Sequence, residues 1–206
     1  MNQKIKRGVS LILCFALTLA LSACSGGGAK INEETVTETV ANVEKALKDF
    51  DRLSLNTYIK SSTLETILNL SKSHSQFTAL GQAMFEKLEI SVKSVDTKNE
   101  TVTLLVKNRD MAAIATEFTK EITEGRNTYE MMQLLNDNAF LDSSLKKLTA
   151  QISEATVPDN PTEITVPIEK NGDVLVLVMD EKAEDAISGG ALTAIQQAIS
   201  GATGAK

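Results

Sequence analysis

The chain has 206 residues and a formal net charge of −6 at pH 7, from 27 acidic and 21 basic residues. That length suits one domain with a buried core. An acidic chain without a basic stripe argues against nucleic acid as a partner. One histidine and two cysteines are too few for the multiple nitrogen or sulfur ligands of a zinc site.

The N-terminal stretch has the layout of a secretory signal peptide. Basic residues at positions 4, 6 and 7 precede an apolar run over 9–21, and small residues follow it. The stretch ends in the tetrapeptide Leu-Ser-Ala-Cys at 21–24. This pattern predicts export, with residues 1–23 as the signal peptide.

The tetrapeptide at 21–24 resembles the lipobox of bacterial lipoproteins. In that family a diacylglycerol is attached to the cysteine thiol, a peptidase cuts before the cysteine, and the new amino group can receive an acyl chain such as palmitate. The resemblance implies that Cys24 is the lipidated first residue of the mature chain. It implies a location at the bacterial cell membrane, lipid-anchored and facing outside the cytoplasm. Two or more acyl chains hold firmly, since each buried methylene contributes about 0.8 kcal/mol.

Two other interpretations of this stretch stay open. The apolar run could be a retained transmembrane helix, although a span needs about 20 apolar residues and Thr18 and Ser22 interrupt this one. It could also be an ordinary signal peptide cut near 22–25. If Cys24 is lipidated, Cys14 leaves with the signal peptide and no free thiol remains. The mature protein would then have no disulfide, thiolate nucleophile or cysteine-ligated metal.

After the cysteine, residues 24–32 predict a flexible glycine-containing tether, and a single domain is expected over 33–200. A capping box at Thr35–Glu38 predicts the start of the first helix, and apolar residues at 36, 40, 43, 47 and 50 give it one buried stripe. A short apolar connection follows over 53–59. A second capping box at 62–65 opens another helix, and a third carries Phe77 to Leu88.

Alternating apolar residues predict antiparallel hairpins at 88–107 and 163–179, with helical stripes between them and a final helix after 180. Asn171-Gly172 supplies the tight turn of the second hairpin. Pro167 predicts an edge position or an outward-facing nitrogen, and residues 201–206 should fray. The predicted class is α+β, with an antiparallel sheet of two hairpins packed on helices. The residues expected to be buried are Phe50, Phe85, Ile90, Val92, Leu104, Val106, Phe118, Ile164, Val166 and Val176.

This order of elements resembles bacterial lipoproteins of the nuclear transport factor 2-like class, which have a cystatin-like roll. The likeness rests on Leu47-Lys48-Asp49-Phe50, on 85–90 leading into the first hairpin, on 107–111 entering a helix, and on 178–181. The family implies a curved sheet wrapped around helices and often a cone-shaped apolar cavity. This chain departs from it by having no tryptophan. The fold class does not define one function.

Few residues in this sequence are of the types that catalyse reactions or bind metal ions. His74 could act as a general base, but it stands in a serine-rich turn without an orienting partner. The carboxylates of Asp180, Glu181, Glu184 and Asp185 could hold Ca²⁺, yet acidic residues in the first turn of a helix are favoured by its dipole. The methionines could line an adaptable ligand surface or simply pack in the core. We therefore predict no metal and no cofactor.

One set of residues has the right types for carboxylate chemistry. Asp49, Asp51 and Tyr58 lie between the first two helices, where an aspartate base with a tyrosine donor would resemble isomerases of this fold class. They are the candidate pocket residues. We predict instead a non-catalytic module, with the membrane as partner through Cys24 and a small apolar ligand or an envelope protein as a second partner. The alternatives are an isomerase-like or hydrolase-like enzyme and a structural envelope protein.

Overall fold

The computed structural model describes residues 28–73 and 75–203. The predicted signal peptide, Cys24 and His74 lie outside this part of the chain. The helices are α1 (Glu33–Asp49), α2 (Arg52–Tyr58), α3 (Ser62–Ser73), α4 (Gln76–Phe85), α5 (Ala112–Thr123), α6 (Thr128–Leu135), α7 (Asn138–Glu154), α8 (Glu181–Ile187) and α9 (Ala191–Thr203). The strands are β1 (Ile59–Lys60), β2 (Glu89–Asp96), β3 (Thr101–Lys107), β4 (Thr162–Asn171) and β5 (Val174–Val178).

The strands form one five-stranded sheet in the order β1-β5-β4-β3-β2. Neighbouring strands from β2 to β5 are antiparallel, whereas β1 pairs in parallel with β5, Ile59 opposite Leu177. The predicted α+β class is therefore confirmed, but the sheet is mixed and not purely antiparallel. The sequence analysis missed β1 because two residues are too few to show an alternating pattern.

Strand β4 is central, with β3 on one side and β5 on the other. At Pro167, however, β4 pairs with β3 alone, since its pairing with β5 begins at Ile168, so the local edge position predicted for Pro167 is confirmed. Residues 162–167 of β4 pair with β3 and residues 168–171 pair with β5, so Pro167 stands where the strand changes partners. A proline, which has no amide to donate, is compatible with such a change.

Both predicted capping boxes begin too late in the sequence. Helix α1 is capped by Asn32, whose Oδ1 accepts from the Thr35 amide at 2.9 Å while the Asn32 amide donates to Thr35 Oγ1 at 3.2 Å. Helix α3 is capped by Ser61, whose Oγ accepts from the Leu64 amide at 3.0 Å. The observed N-cap residues precede the predicted ones by three positions in α1 and by one in α3, and each accepts from a helix amide that would otherwise lack a partner.

The segment before α1 packs on the domain from residue 29 onward. The Ala29 amide donates to the Gly172 carbonyl at 3.0 Å, and the partly buried Ala29 and Ile31 side chains contact the main core. Residues 29–32, which the sequence analysis placed in a flexible tether, are thus part of the packed structure. At the other end, α9 continues to Thr203, inside the segment for which fraying was expected.

Buried apolar side chains form two clusters. The main cluster joins α1 to the inner face of the sheet, and the helical cluster joins α4, α5, α7 and α9. Eight of the ten residues expected to be buried are buried, but Val92 and Phe118 are only partly so. Val92 lies on the edge strand β2 where its register with β3 shifts, and Phe118 lies at the border of the helical cluster.

Asn108 and Arg109, directly after β3, form a buried polar junction with the ends of three helices. Asn108 Nδ2 donates to the Met84 carbonyl at 3.0 Å and to the Ile187 carbonyl at 2.7 Å, in the last turns of α4 and α8. Arg109 donates to the carbonyls of Ala83 in α4, at 2.9 Å, and Ser153 in α7, at 3.2 Å. Carbonyls in a last helical turn have no partner in their own helix, so this junction satisfies them.

The backbone on either side of Arg109 strengthens the junction. The Asp110 amide donates to the Thr156 carbonyl and the Met111 amide to the Gly189 carbonyl, each at 2.9 Å. Arg109 is 4% exposed and its guanidinium donates to Glu86 Oε2 at 2.9 Å. This hydrogen bond, aided by Lys87, lowers the pKa of the exposed Glu86 carboxyl. Within residues 28–73 and 75–203, Arg109 is the one charged side chain that is buried.

Replacing Gly189 with alanine should destabilise this junction strongly. Gly189 has φ +60°, and a Cβ there would lie 1.9 Å from the Arg109 carbonyl oxygen. We expect the free energy of unfolding to fall by about 3 kcal/mol, from the left-handed backbone and the overpacking together. Urea unfolding measures this. Gly125→Ala is the matched control, because Gly125 has φ +71° but nothing within 4 Å of its added Cβ, and it should cost about 1 kcal/mol. Equal losses in the two variants would contradict the contact.

Candidate ligand cavity

An apolar cavity of about 230 Å³ lies between the main cluster and the helical cluster. Its walls come from the end of α1 and from α3, α4, α5, α7 and α9. Every residue that lines it is apolar: Phe50, Ile67, Phe77, Leu80, Gly81, Met84, Phe85, Met111, Ile114, Ala115, Phe118, Leu145, Leu148, Ile152, Ala191 and Ile195. A cavity without polar partners holds water poorly and favours apolar guests.

Phe50 forms one wall of the cavity at the C-terminal end of α1. Its backbone has φ +49° and ψ +40°, a left-handed conformation that costs a bulky residue roughly 1–2 kcal/mol. This conformation turns the ring inward, where it stacks on Phe85 with centroids 6.4 Å apart. Burial of the two rings offsets the strained backbone, since each aromatic side chain removes a large apolar area from water.

Gly81 in α4 makes room for the Phe50 ring. A Cβ at Gly81 would lie 2.4 Å from two ring carbons of Phe50, well inside van der Waals contact. A glycine inside a helix costs about 1 kcal/mol relative to alanine, so its presence here reflects close packing. The isolated glycine in a helical pattern is the local sign of this wall in the sequence.

Some of the methionines line the cavity, and others lie in different parts of the structure. Met84 and Met111 line the cavity and also pack in the core, Met111 within the helical cluster and Met84 against both clusters, while Met179 is buried in the main cluster. Met131 and Met132 belong to α6. A thioether on an unbranched side chain adapts to guests of different shape, so Met84 and Met111 make this wall adjustable.

A second, more open recess lies along the β1 edge of the sheet. This cleft of about 870 Å³ is bordered by α2, β1, α3 and the strands β4 and β5. Lys60 and Glu169, both exposed, form an ion pair across it at 3.2 Å. Exposed ion pairs contribute little to stability, and polar and apolar residues both line the cleft, in contrast to the purely apolar lining of the cavity. We therefore take the apolar cavity as the candidate site.

The candidate pocket residues from the sequence do not line the apolar cavity. Asp49 is exposed and paired with Lys45 on the same face of α1, and this pair raises the pKa of Lys45. Asp51 is exposed and caps α2, accepting from the amides of Leu53 at 3.2 Å and Ser54 at 3.3 Å. Tyr58 ends α2 and packs half-buried against the main cluster. The two aspartates are therefore occupied by local contacts.

The pKa of Asp51 is shifted in the direction opposite to that of a pocket acid. Its carboxylate accepts from the Ser54 hydroxyl, which lowers the pKa most, and from the amides of Leu53 and Ser54. Hydrogen bonds to a carboxylate favour its charged form. A buried catalytic acid has a raised pKa instead.

The acidic residues considered as calcium ligands also serve the helices. Asp180 caps α8 by accepting from the Ala183 amide at 2.8 Å. Glu184 accepts from the hydroxyls of Ser61 and Thr63 at the start of α3, and Asp185 accepts from the Thr193 amide at 2.8 Å. In the described part of the chain, no group of three or more His, Cys, Asp or Glu side chains is placed to hold a metal ion.

Replacing Ser54 with alanine should raise the pKa of Asp51 toward its ordinary value of about 3.9. Because the folded-state pKa is lowered, this carboxylate contributes stability above its unfolded-state pKa, and that stability is lost as pH falls through the folded value. The variant should therefore lose less stability than the wild type on acidification. NMR titration of the carboxyl carbon measures the pKa. A wild-type pKa above the ordinary value would contradict the capping role.

Comparison with protein-family models, with curated proteins and with solved structures found no match. Among residues 28–73 and 75–203, no helix combines the length and the apolar character that a membrane span requires. The candidate function is therefore inferred from the N-terminal sequence and from the geometry of the apolar cavity.

Proposed function

We propose that this chain is a lipid-anchored lipoprotein, held at the bacterial cell membrane outside the cytoplasm, that binds a small apolar ligand without catalysis. The observation that carries the ligand-binding part is the cavity of about 230 Å³ whose lining residues are all apolar. The anchor is inferred from the basic, apolar and small residues that lead to Cys24.

The cavity defines the chemistry of its guest. A cavity of about 150 Å³ lined by Leu, Ile and Phe binds benzene, so a cavity somewhat larger suits a one- or two-ring hydrocarbon or a short alkyl chain. No side chain in the lining can pair with a charge or a hydroxyl. A polar group on the ligand would therefore lose its hydrogen bonds to water without replacement.

The same lining argues against the enzyme alternative. General acid–base catalysis needs a titratable group within hydrogen-bond reach of the reacting atoms, and no lining residue is titratable. A purely structural envelope protein, the other alternative, needs no recess lined by apolar side chains alone. Such a recess leaves apolar surface that a guest would cover, so its presence supports a binding role.

We also propose that the fold is a variant of the cystatin-like roll of the nuclear transport factor 2-like class. The supporting features are the N-terminal helices, the antiparallel strand pairs separated by helices, and an apolar cavity among aromatic residues. The short parallel strand β1 and the absence of tryptophan are the departures of this chain from that pattern.

The ligand proposal is tested by adding benzene to protein with labelled methionine methyl groups. The methyl signals of Met84 and Met111 should shift, because both line the cavity, while that of Met179 should not. Phenol, which has nearly the same size, should bind about ten- to a hundredfold more weakly because its hydroxyl finds no partner. Shifts at all three methionines, or equal affinity for phenol, would contradict binding in this cavity.

Ala115→Leu should abolish benzene binding by filling the cavity from α5. Ala115 is buried and lines the cavity, whereas Ala113 on the same helix is exposed. Ala113→Leu makes the same chemical change outside the cavity and should leave benzene binding unchanged. Methyl shifts and thermal unfolding with and without benzene report both variants. Retained binding by a folded Ala115→Leu protein would place the ligand elsewhere.

Replacing Cys24 with alanine should remove acyl labelling and release the protein from membranes, because the acyl chains supply the attachment. Metabolic labelling with a fatty acid and fractionation after a carbonate wash measure the two effects. A Cys24→Ala protein that still carries acyl label, or that has lost residues 1–23 and still sediments with membranes, would show that the lipoprotein assignment is wrong.

A further inference from the structure

The N-terminal segment leaves the domain at one particular place. The Ala29 amide donates to the Gly172 carbonyl in the β4–β5 turn at 3.0 Å. The Thr35 hydroxyl donates to the Lys30 carbonyl at 2.5 Å, and the Ile31 side chain packs on the main cluster. These contacts bind the segment to the end of the sheet that carries this turn.

The β2–β3 turn lies at the same end. Thr101 is opposite Pro167 in the register, the Ile168 amide donates to the Glu100 carbonyl at 2.8 Å, and Lys170 pairs with Glu100 at 2.6 Å. Residues 97–100 and 172–173 are all exposed. We call these two turns the anchor end of the domain. The opposite end is marked by Glu89 opposite Lys107.

We propose that the anchor end faces the membrane surface, with the strands of the sheet directed away from it. This inference rests on the proposed lipidation of Cys24. Cys24 precedes Gly28 by four residues, so their Cα atoms are separated by at most about 14 Å. The docked segment therefore limits how far the β4–β5 turn can move from the acyl chains. A strand of eight residues spans roughly 25 Å, which keeps Glu89 well away from the bilayer.

The charges at the anchor end indicate that the tether, and not headgroup attraction, sets this orientation. Lys98 and Lys170 stand beside Glu100 and Asp173, and Lys170 is already paired with Glu100. A surface that carries both positive and negative charges gains little electrostatic binding energy near anionic lipids, in contrast to a polybasic segment. The partner of this surface is therefore the lipid bilayer that holds the protein's own acyl chains. We expect the same orientation whether or not that bilayer contains anionic lipids.

A single thiol at each end tests the orientation. The chain has cysteines at positions 14 and 24 alone, so the lipidated mature protein offers no competing thiol. Lys98→Cys and Asp173→Cys probe the anchor end, and Glu89→Cys is the control at the far end. Each purified lipidated protein, labelled with a small fluorophore, is bound to phosphatidylcholine vesicles that carry a nitroxide on their headgroups. Quenching should be several-fold stronger at 98 and 173 than at 89.

A longer tether supplies the second control. Inserting a flexible Gly-Ser segment between Gly27 and Gly28, together with Ala29→Pro to remove the donated amide, should make quenching at 98 and 173 approach that at 89. Adding phosphatidylglycerol to the vesicles should leave the wild-type pattern unchanged. A pattern that appears only with phosphatidylglycerol would overturn the tether as its cause.

The remaining outcomes separate this inference from the proposed function. Equal quenching at all three positions in protein that sediments with the vesicles would overturn the orientation and leave the lipid anchor intact. Protein that purifies without acyl chains and does not sediment with vesicles would overturn the anchor, and the orientation with it.

Discussion

The architecture depends on the hydrogen bonds that Asn108 and Arg109 donate to the C-terminal ends of α4, α7 and α8. Buried carbonyls at helix ends are costly when they lack partners, and here one pair of adjacent residues satisfies those of three helices. The positive charge of Arg109 also lies where these helices present the negative ends of their dipoles. The junction therefore joins the sheet to the helical half of the molecule.

The apolar cavity lies between the two halves that this junction joins. Its lining residues come from helices and from the cap residues Phe50 and Met111, and none of them belongs to a strand in the described part of the chain. Phe50 accepts a left-handed backbone to place its ring in the wall, and Gly81 leaves the space for that ring. The protein thus has an apolar cavity and a strained residue in the same place.

Several acidic residues that had been considered for chemistry accept hydrogen bonds at the starts of helices. Asp51, Asp180 and Glu184 accept from helix N-terminal amides or hydroxyls, which leaves the cavity without a titratable group. The proposed membrane contact uses other elements, namely the segment before α1 and the two turns at one end of the sheet. Ligand binding and attachment would then be carried by separate parts of the same domain.

The sequence alone indicated the α+β class, the apolar stripe of α1 and the alternating strands, because helix and strand periodicities are local properties. The turn of the second hairpin was predictable in part for the same reason, since glycine readily adopts the positive φ that Gly172 has, but Asn171 ends β4 and the turn is formed by Gly172 and Asp173. The residues up to Cys24 also predict a lipid anchor at that cysteine, and this stays a prediction. The sequence predicted full burial for Val92 and Phe118, which are only partly buried. The degree of burial depends on which other elements cover the face of the strand or helix that carries the residue.

The tertiary structure decided the parallel pairing of β1 with β5, the docking of residues 29–32 and the existence of the cavity. Each of these joins segments that are distant in the chain, and a local pattern identifies an apolar face without identifying its partner. A cavity depends further on how well side chains from several elements fill the space between them, which varies with single methyl groups. For that reason the order of helices and strands in the sequence could suggest a fold that often has an apolar cavity. The position of the cavity and its purely apolar lining were decided by the packing of distant side chains.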